Sequence, residues 1–75
     1  MLSAPEVVEH FFLETRCALL NIAATLDRLD RAAEASAPVD DLRVSQLYQA
    51  LELLAERAAP NDRVERLLQL FSDMD

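Results

Sequence analysis

The most suggestive chemical spacing in this chain surrounds its single histidine. Glu6 and Glu14 lie four residues before and after His10, so a helix would place the three side chains on one face. Imidazole and carboxylate groups are common metal ligands, and the trio could serve a metal- or small-ligand-binding helical bundle. A solvated helix face explains the same spacing, and the Glu-x-x-His motif of ferritin-like di-metal bundles is absent. We therefore predict no bound metal or cofactor and keep the ligand-binding bundle as an alternative.

The single cysteine, Cys17, is the other residue type that could do chemistry. Its nearest potential base, His10, is seven residues away, which is about 10 Å along a helix axis and too far for direct contact. A buried, small apolar role for Cys17 is therefore expected, and one cysteine excludes an intrachain disulfide. Glycine is absent from the sequence, so a glycine-rich phosphate loop is excluded. We predict no catalytic residue and no enzyme activity.

A long amphipathic helix must position these residues. From Val8 to Ser36, mostly apolar residues recur at alternating spacings of four and three, which only a helix places on one stripe. Ser3 and Glu6 have the spacing of a capping box, and Pro5 suits a first turn. These signals predict a helix over about residues 4–35. Its first stripe consists of Val8, Phe12, Thr15, Leu19, Ile22, Leu26, Leu29, Ala33 and Ser36.

Two shorter helices follow, over about residues 41–58 and 62–73. Pro38 and Pro60 separate the three segments, because the residue before a proline disfavours helical geometry. The apolar stripes of the shorter helices are Val44, Leu47, Leu51, Leu54 and Ala58 in one, and Val64, Leu67, Phe71 and Met74 in the other.

Acidic and amide residues mark where the shorter helices begin. Asp40 or Asp41 is expected to cap the first of them, and Asn61 or Asp62 the second. No stretch alternates with a period of two, so no strand is expected. The sequence predicts one all-α domain over residues 1–75, with the long helix packed antiparallel against the two shorter ones and the helical bundle completed by dimerisation.

The long helix carries a second apolar stripe. At 100° per residue, Leu13, Cys17, Leu20 and Ala24 lie about 130° from the first stripe. The two later helices can cover only one side of the long helix. A second protein surface is therefore expected to cover the second stripe, and a second copy of the chain is the simplest choice.

The charges beside this stripe favour antiparallel pairing of two long helices. Arg16 and Asp27 are eleven residues apart on one face, so a twofold axis midway between them brings each opposite the other. Leu20 then faces Ala23. Arg16 and Asp27 could equally be ordinary solvated charges. The predicted interface consists of Leu13, Arg16, Cys17, Leu20, Ala23, Ala24 and Asp27.

The overall charge restricts the possible partners. The chain has 14 acidic and 7 basic residues, a formal charge of −7, and its arginines form no patch. Such a surface repels phosphate, so no nucleic-acid partner is expected. The N-terminus lacks the pattern of a signal peptide, and the most apolar stretch is far shorter than the roughly 20 residues that span a bilayer. We expect a cytoplasmic protein without a membrane partner.

Residues 14–32 resemble a pattern found in short, uncharacterised bacterial all-helical proteins. In that pattern a Glu-x-Arg precedes a run of leucine and alanine and then an Asp-Arg pair. The resemblance covers about a quarter of the chain and implies no particular activity. It makes four residues candidates for association or for a shared polar network: Glu14, Arg16, Asp27 and Arg28.

Taken together, the sequence predicts a non-enzymatic small helical protein that self-associates, or that docks onto a different protein partner through its second stripe. The alternative is the metal- or small-ligand-binding bundle that would use Glu6, His10 and Glu14.

Overall fold

The residues described by the computed structural model are 1–36, 40–58 and 60–72. Within them lie three α-helices: α1 is Ala4–Ala35, α2 is Leu42–Ala55 and α3 is Arg63–Ser72. No strand occurs in these ranges, so the prediction of an all-α protein is confirmed. The predicted stop at Pro38 and the last residue of the third stripe, Met74, lie outside the described residues.

The first helix has the predicted bounds and the predicted cap. The Ser3 hydroxyl accepts a hydrogen bond from the Glu6 backbone N–H at 3.3 Å, and the Glu6 carboxylate accepts one from the Ser3 N–H at 3.1 Å. Pro5 lies in the first turn. At the other end, the Ser36 N–H and hydroxyl both donate to the Ala32 carbonyl. With 32 residues, α1 is about 48 Å long.

An aspartate and an arginine begin the second helix. Asp41 is its N-cap and accepts a hydrogen bond from the Arg43 backbone N–H at 2.9 Å. The Arg43 guanidinium also donates to both carboxylate oxygens, the shortest distance being 2.7 Å. These hydrogen bonds, led by those from the Arg43 side chain, lower the pKa of Asp41 to about 2. The carboxylate thus satisfies one backbone donor that the helix itself leaves unpaired.

The second helix ends at Ala55, three residues earlier than predicted. Glu56 leaves helical geometry with ψ 107°, and two side chains of α3 hold it. The Arg63 guanidinium donates to the Glu56 carbonyl at 2.8 Å, and Arg66 lies 3.4 Å from the Glu56 carboxylate. The predicted extension to residue 58 is therefore wrong, because contacts from the next helix override the local helical pattern.

The second and third helices form an antiparallel hairpin, which we call the α2–α3 hairpin. Gln46 near the start of α2 donates its side-chain N–H to the Leu70 carbonyl near the end of α3 at 3.1 Å. Between this contact and those of Glu56 lies Ala50, which is 8% exposed and is the only buried residue among those described. Ala50 is not part of the predicted apolar stripe of this helix. A small side chain at this point lets the two helices approach closely.

The Oδ1 atom of Asp62, one of the two residues expected to cap α3, does not form the cap. Asp62 immediately precedes Arg63, but its Oδ1 atom is buried and has no hydrogen-bond partner. The Asp62 backbone N–H donates to the Pro60 carbonyl at 2.8 Å. Asp62 therefore contributes its backbone, through its carbonyl bonded to the Arg66 N–H, to the first turn of α3.

The chain divides into two compact units, Met1–Val39 with α1 and Asp40–Asp75 with the α2–α3 hairpin. The expectation that residues 1–75 make one domain, with α1 packed antiparallel on the two shorter helices, stays a prediction.

Candidate protein–protein interface

The first half of α1 exposes a large apolar surface. None of the 32 residues of this helix, all of them described, is buried. Its exposed large apolar side chains cover roughly two thirds of the helix circumference at 100° per residue. Exposed apolar surfaces of this extent commonly mark sites of protein–protein association. These side chains are Val7, Val8, Phe11, Phe12, Leu13, Leu19, Leu20 and Ile22.

The second half of α1 differs from the first. Leu26, Leu29 and Ala33, which continue the first stripe, are half-buried rather than exposed. Polar and charged side chains replace the large apolar ones on the remaining surface of this half. The apolar surface available to a partner is therefore concentrated between residues 7 and 24.

The seven predicted interface residues all lie on α1 and are all exposed. Among the larger apolar members, Leu13 is 68% exposed and Leu20 is 54% exposed. The helix places Leu20 at the centre of the face, with Ala23 one turn further along. The structure thus presents these residues on one continuous surface, within reach of another chain.

The two charges on this face have no partner among the described residues of their own chain. Neither Arg16 nor Asp27 makes an ion pair or a side-chain hydrogen bond to any of the described residues. Eleven residues of helix separate them, which is about 16 Å along the axis and only about 20° around it. They therefore bracket the centre of the apolar face with opposite charges that remain available for pairing.

A shallow depression joins the two apolar stripes of α1. Three of its lining residues belong to the predicted interface, namely Arg16, Leu20 and Ala23. The others, Phe12, Thr15 and Leu19, belong to the first stripe. The predicted interface does not include Phe12, Thr15 and Leu19, because the first stripe is predicted to contact the two later helices, and that contact stays a prediction. The helical wheel places Phe12 and Leu19 only about 40° to 60° from Arg16, which is why the depression includes residues of both stripes.

The prediction that Cys17 is a buried residue is wrong for the single chain. Cys17 is an exposed residue with a free thiol. The reason is its position on the second stripe, whose other members, Leu13, Leu20 and Ala24, are also exposed. Cys17 would become a small apolar contact where another protein covers this side of α1.

The trio around His10 does not assemble into a metal site. The Glu6 carboxylate turns towards the N-terminus and binds Ser3, whose backbone N–H and then hydroxyl are the main causes of a lowered Glu6 pKa. Glu6 and Glu14 are also about 12 Å apart along the helix axis. No group of three or more histidine, cysteine, aspartate or glutamate residues within the described ranges is placed to hold a metal ion.

In the part of the chain that the structure describes, no helix combines the length and the apolar character needed to cross a bilayer.

Comparisons with known proteins identify no relative. No protein-family model matches the chain, and neither the curated proteins nor the solved structures include one with significant similarity to it.

Proposed function

We propose that this chain is a non-enzymatic helical protein that self-associates through α1. The observation that carries the proposal is the exposed face around Leu20, whose apolar residues are bracketed by Arg16 and Asp27, two charges with no ion pair among the described residues. Exposing such a face to water costs free energy, roughly 25 cal/mol for each Å² of apolar surface that a partner would cover. We propose a bacterial source, in keeping with the resemblance of residues 14–32, and a cytoplasmic location.

A second copy of the chain is the partner that this surface fits best. The central part of the face contains one cation, Arg16, and one anion, Asp27, at equal distances from its centre, so this part is complementary to itself. Isologous interfaces of twofold dimers have this property. If one residue contacts a second residue of the other copy, the same contact occurs again with the two copies exchanged. A different protein would have to supply the matching charges at the same spacing. The chain already contains them.

Substitution of Leu20 by glutamate tests the proposal. A charge at the centre of the apolar face would lose its hydration on association, so we expect Leu20→Glu to be monomeric where the natural chain is dimeric. Sedimentation equilibrium or light scattering at micromolar concentrations measures the mass. Circular dichroism verifies that the variant keeps its helix content.

Asn21→Glu is the matched control for this substitution. Asn21 is exposed on α1, and the helix places it about 100° from Leu20, so the variant adds the same charge outside the face. We expect it to remain a dimer. A natural chain that is strictly monomeric up to about 100 μM, well above the dissociation constants of stable dimers, rules out self-association and leaves docking onto a different protein.

A further inference from the structure

The orientation of the pair follows from the charges on the same face. Resting on the proposed self-association, we infer that two copies of α1 pair antiparallel about a twofold axis that passes between Asn21 and Ile22. Each residue then lies opposite the residue whose number makes a sum of 43 with its own. The kind of partner is thus fixed as a second copy in one direction and one register.

We call the line along which the two copies of α1 face each other the seam. Parallel pairing brings like charges together along the whole seam. On the helical wheel, Glu9, Arg16, Asp27 and Glu34 lie within about 20° of one line along α1. In a parallel, in-register dimer each of these residues faces its own copy. Like charges in direct opposition destabilise an interface and suppress the wrong pairing. Parallel pairing is therefore unfavourable at four positions.

Antiparallel pairing converts the two central positions into attractive contacts. Arg16 of each copy lies opposite Asp27 of the other, giving two ion pairs. Both side chains are exposed, and neither has an ion pair within the part of the chain that the structure describes. Leu20 faces Ala23 on either side of the axis. The small side chain of Ala23 lets the helices approach closely at the centre, where the depression beside Leu20 and Ala23 receives the opposing leucine.

Each end of the seam contains one unfavourable contact with a compensating neighbour. Glu9 lies opposite Glu34 of the second copy. Arg31 of that copy is one turn away, about 4.5 Å along the axis and on the same side of the seam, within reach of the Glu9 carboxylate. Its aliphatic stem passes beside Leu13, which is strongly exposed in the single chain. Repulsion at the ends is therefore reduced, while the centre sets the register.

A charge exchange tests the direction of pairing. Arg16→Glu and Asp27→Arg each place like charges together twice in the antiparallel dimer, so each is expected to weaken dimerisation roughly tenfold. The double variant exchanges both charges and is expected to restore the natural dissociation constant. Sedimentation equilibrium at low ionic strength measures all four proteins. A double variant no tighter than the single ones overturns the antiparallel orientation.

Cysteine cross-linking tests the register independently. In a Cys17→Ala background, Ala23→Cys places the two thiols about 4.5 Å apart along the axis, close enough for a disulfide. Glu9→Cys places them about 38 Å apart, and it also removes an unfavourable contact. Under mild oxidation we expect covalent dimer from Ala23→Cys and none from Glu9→Cys.

The outcomes separate this inference from the proposed function. Cross-linking through Glu9→Cys, or a dimer that does not cross-link through Ala23→Cys, overturns the antiparallel register while self-association stands. A monomer by mass that forms no cross-link in either variant overturns both.

Discussion

At the scale of single residues, local hydrogen bonds determine where α1 and α2 begin. Ser3 and Glu6 exchange hydrogen bonds across three residues, and Asp41 binds Arg43 across two. Ser3, Glu6 and Arg43 are exposed and Asp41 is half-buried, so both carboxylates keep contact with water while they satisfy free N–H groups of the first turn. Each cap fixes the start of a helix without help from tertiary contacts.

Titration of Asp41 tests the cap of α2. The pKa of Asp41 is lowered to about 2 from its ordinary value of 3.8, so the cap is fully formed above about pH 4 and is lost as the pH falls towards 2. We expect Arg43→Ala to raise the Asp41 pKa towards its ordinary value and to make α2 start less well at pH 3. Carbon-13 NMR of the carboxyl carbon follows the titration. An unchanged pKa in the variant contradicts the role of the guanidinium.

These caps were largely predictable because their chemistry depends on residues two to four positions apart. Ser3, Glu6 and Pro5 identified the start of α1, and Asp41 was one of two candidates for α2. The state of Cys17 was not predictable in the same way, since burial depends on what covers the helix. The buried, unpaired Oδ1 atom of Asp62 was not predictable for the same reason, because its surroundings depend on how the chain turns after Pro60.

At the scale of elements, the α2–α3 hairpin depends on residues that an apolar pattern does not select. Gln46 and Ala50 lie one turn apart on the side of α2 that faces α3, where one donates to a carbonyl and the other permits close approach. The predicted apolar stripe instead followed the leucines on the neighbouring side of α2. Hydrophobic periodicity identifies the helix correctly, but a polar and a small residue decide which side of it meets its neighbour.

Enlarging Ala50 tests this contact. Ala50→Leu forces three additional carbon atoms between α2 and α3, and overpacking of this kind costs about 1–3 kcal/mol of unfolding free energy. Ala55→Leu adds the same atoms at an exposed position of α2 and is expected to have little effect. Urea unfolding followed by circular dichroism compares the two. Equal losses of stability in both variants would show that Ala50 is not at the helix contact.

At the scale of the whole molecule, very little apolar surface is hidden within the described chain. Ala50 is its only buried residue, while large side chains of every helix are exposed. Domains of this size are marginally stable, and those without disulfides or metals commonly rely on association. The proposed dimer would therefore contribute to folding as well as to function.

The thermal stability of the protein should then depend on its concentration. Because dimerisation is linked to folding, we expect the melting temperature of the natural chain to rise by roughly 4 °C for each tenfold increase in concentration. Leu20→Glu should melt at a lower temperature that does not change with concentration. Differential scanning calorimetry or circular dichroism over two decades of concentration gives the comparison, and a constant melting temperature for the natural chain argues against the linkage.

The contacts of Glu56 also have a consequence for the growing chain at the ribosome. Arg63 and Arg66 hold Glu56 out of α2, yet they are synthesised after it. Until Arg63 and Arg66 leave the exit tunnel, these contacts cannot form. The local sequence then allows the nascent helix to continue towards the segment that precedes Pro60. The end of α2 is thus determined by its contacts with α3. A nascent chain truncated at residue 62, which lacks Arg63 and Arg66, should therefore carry a longer second helix than the finished protein.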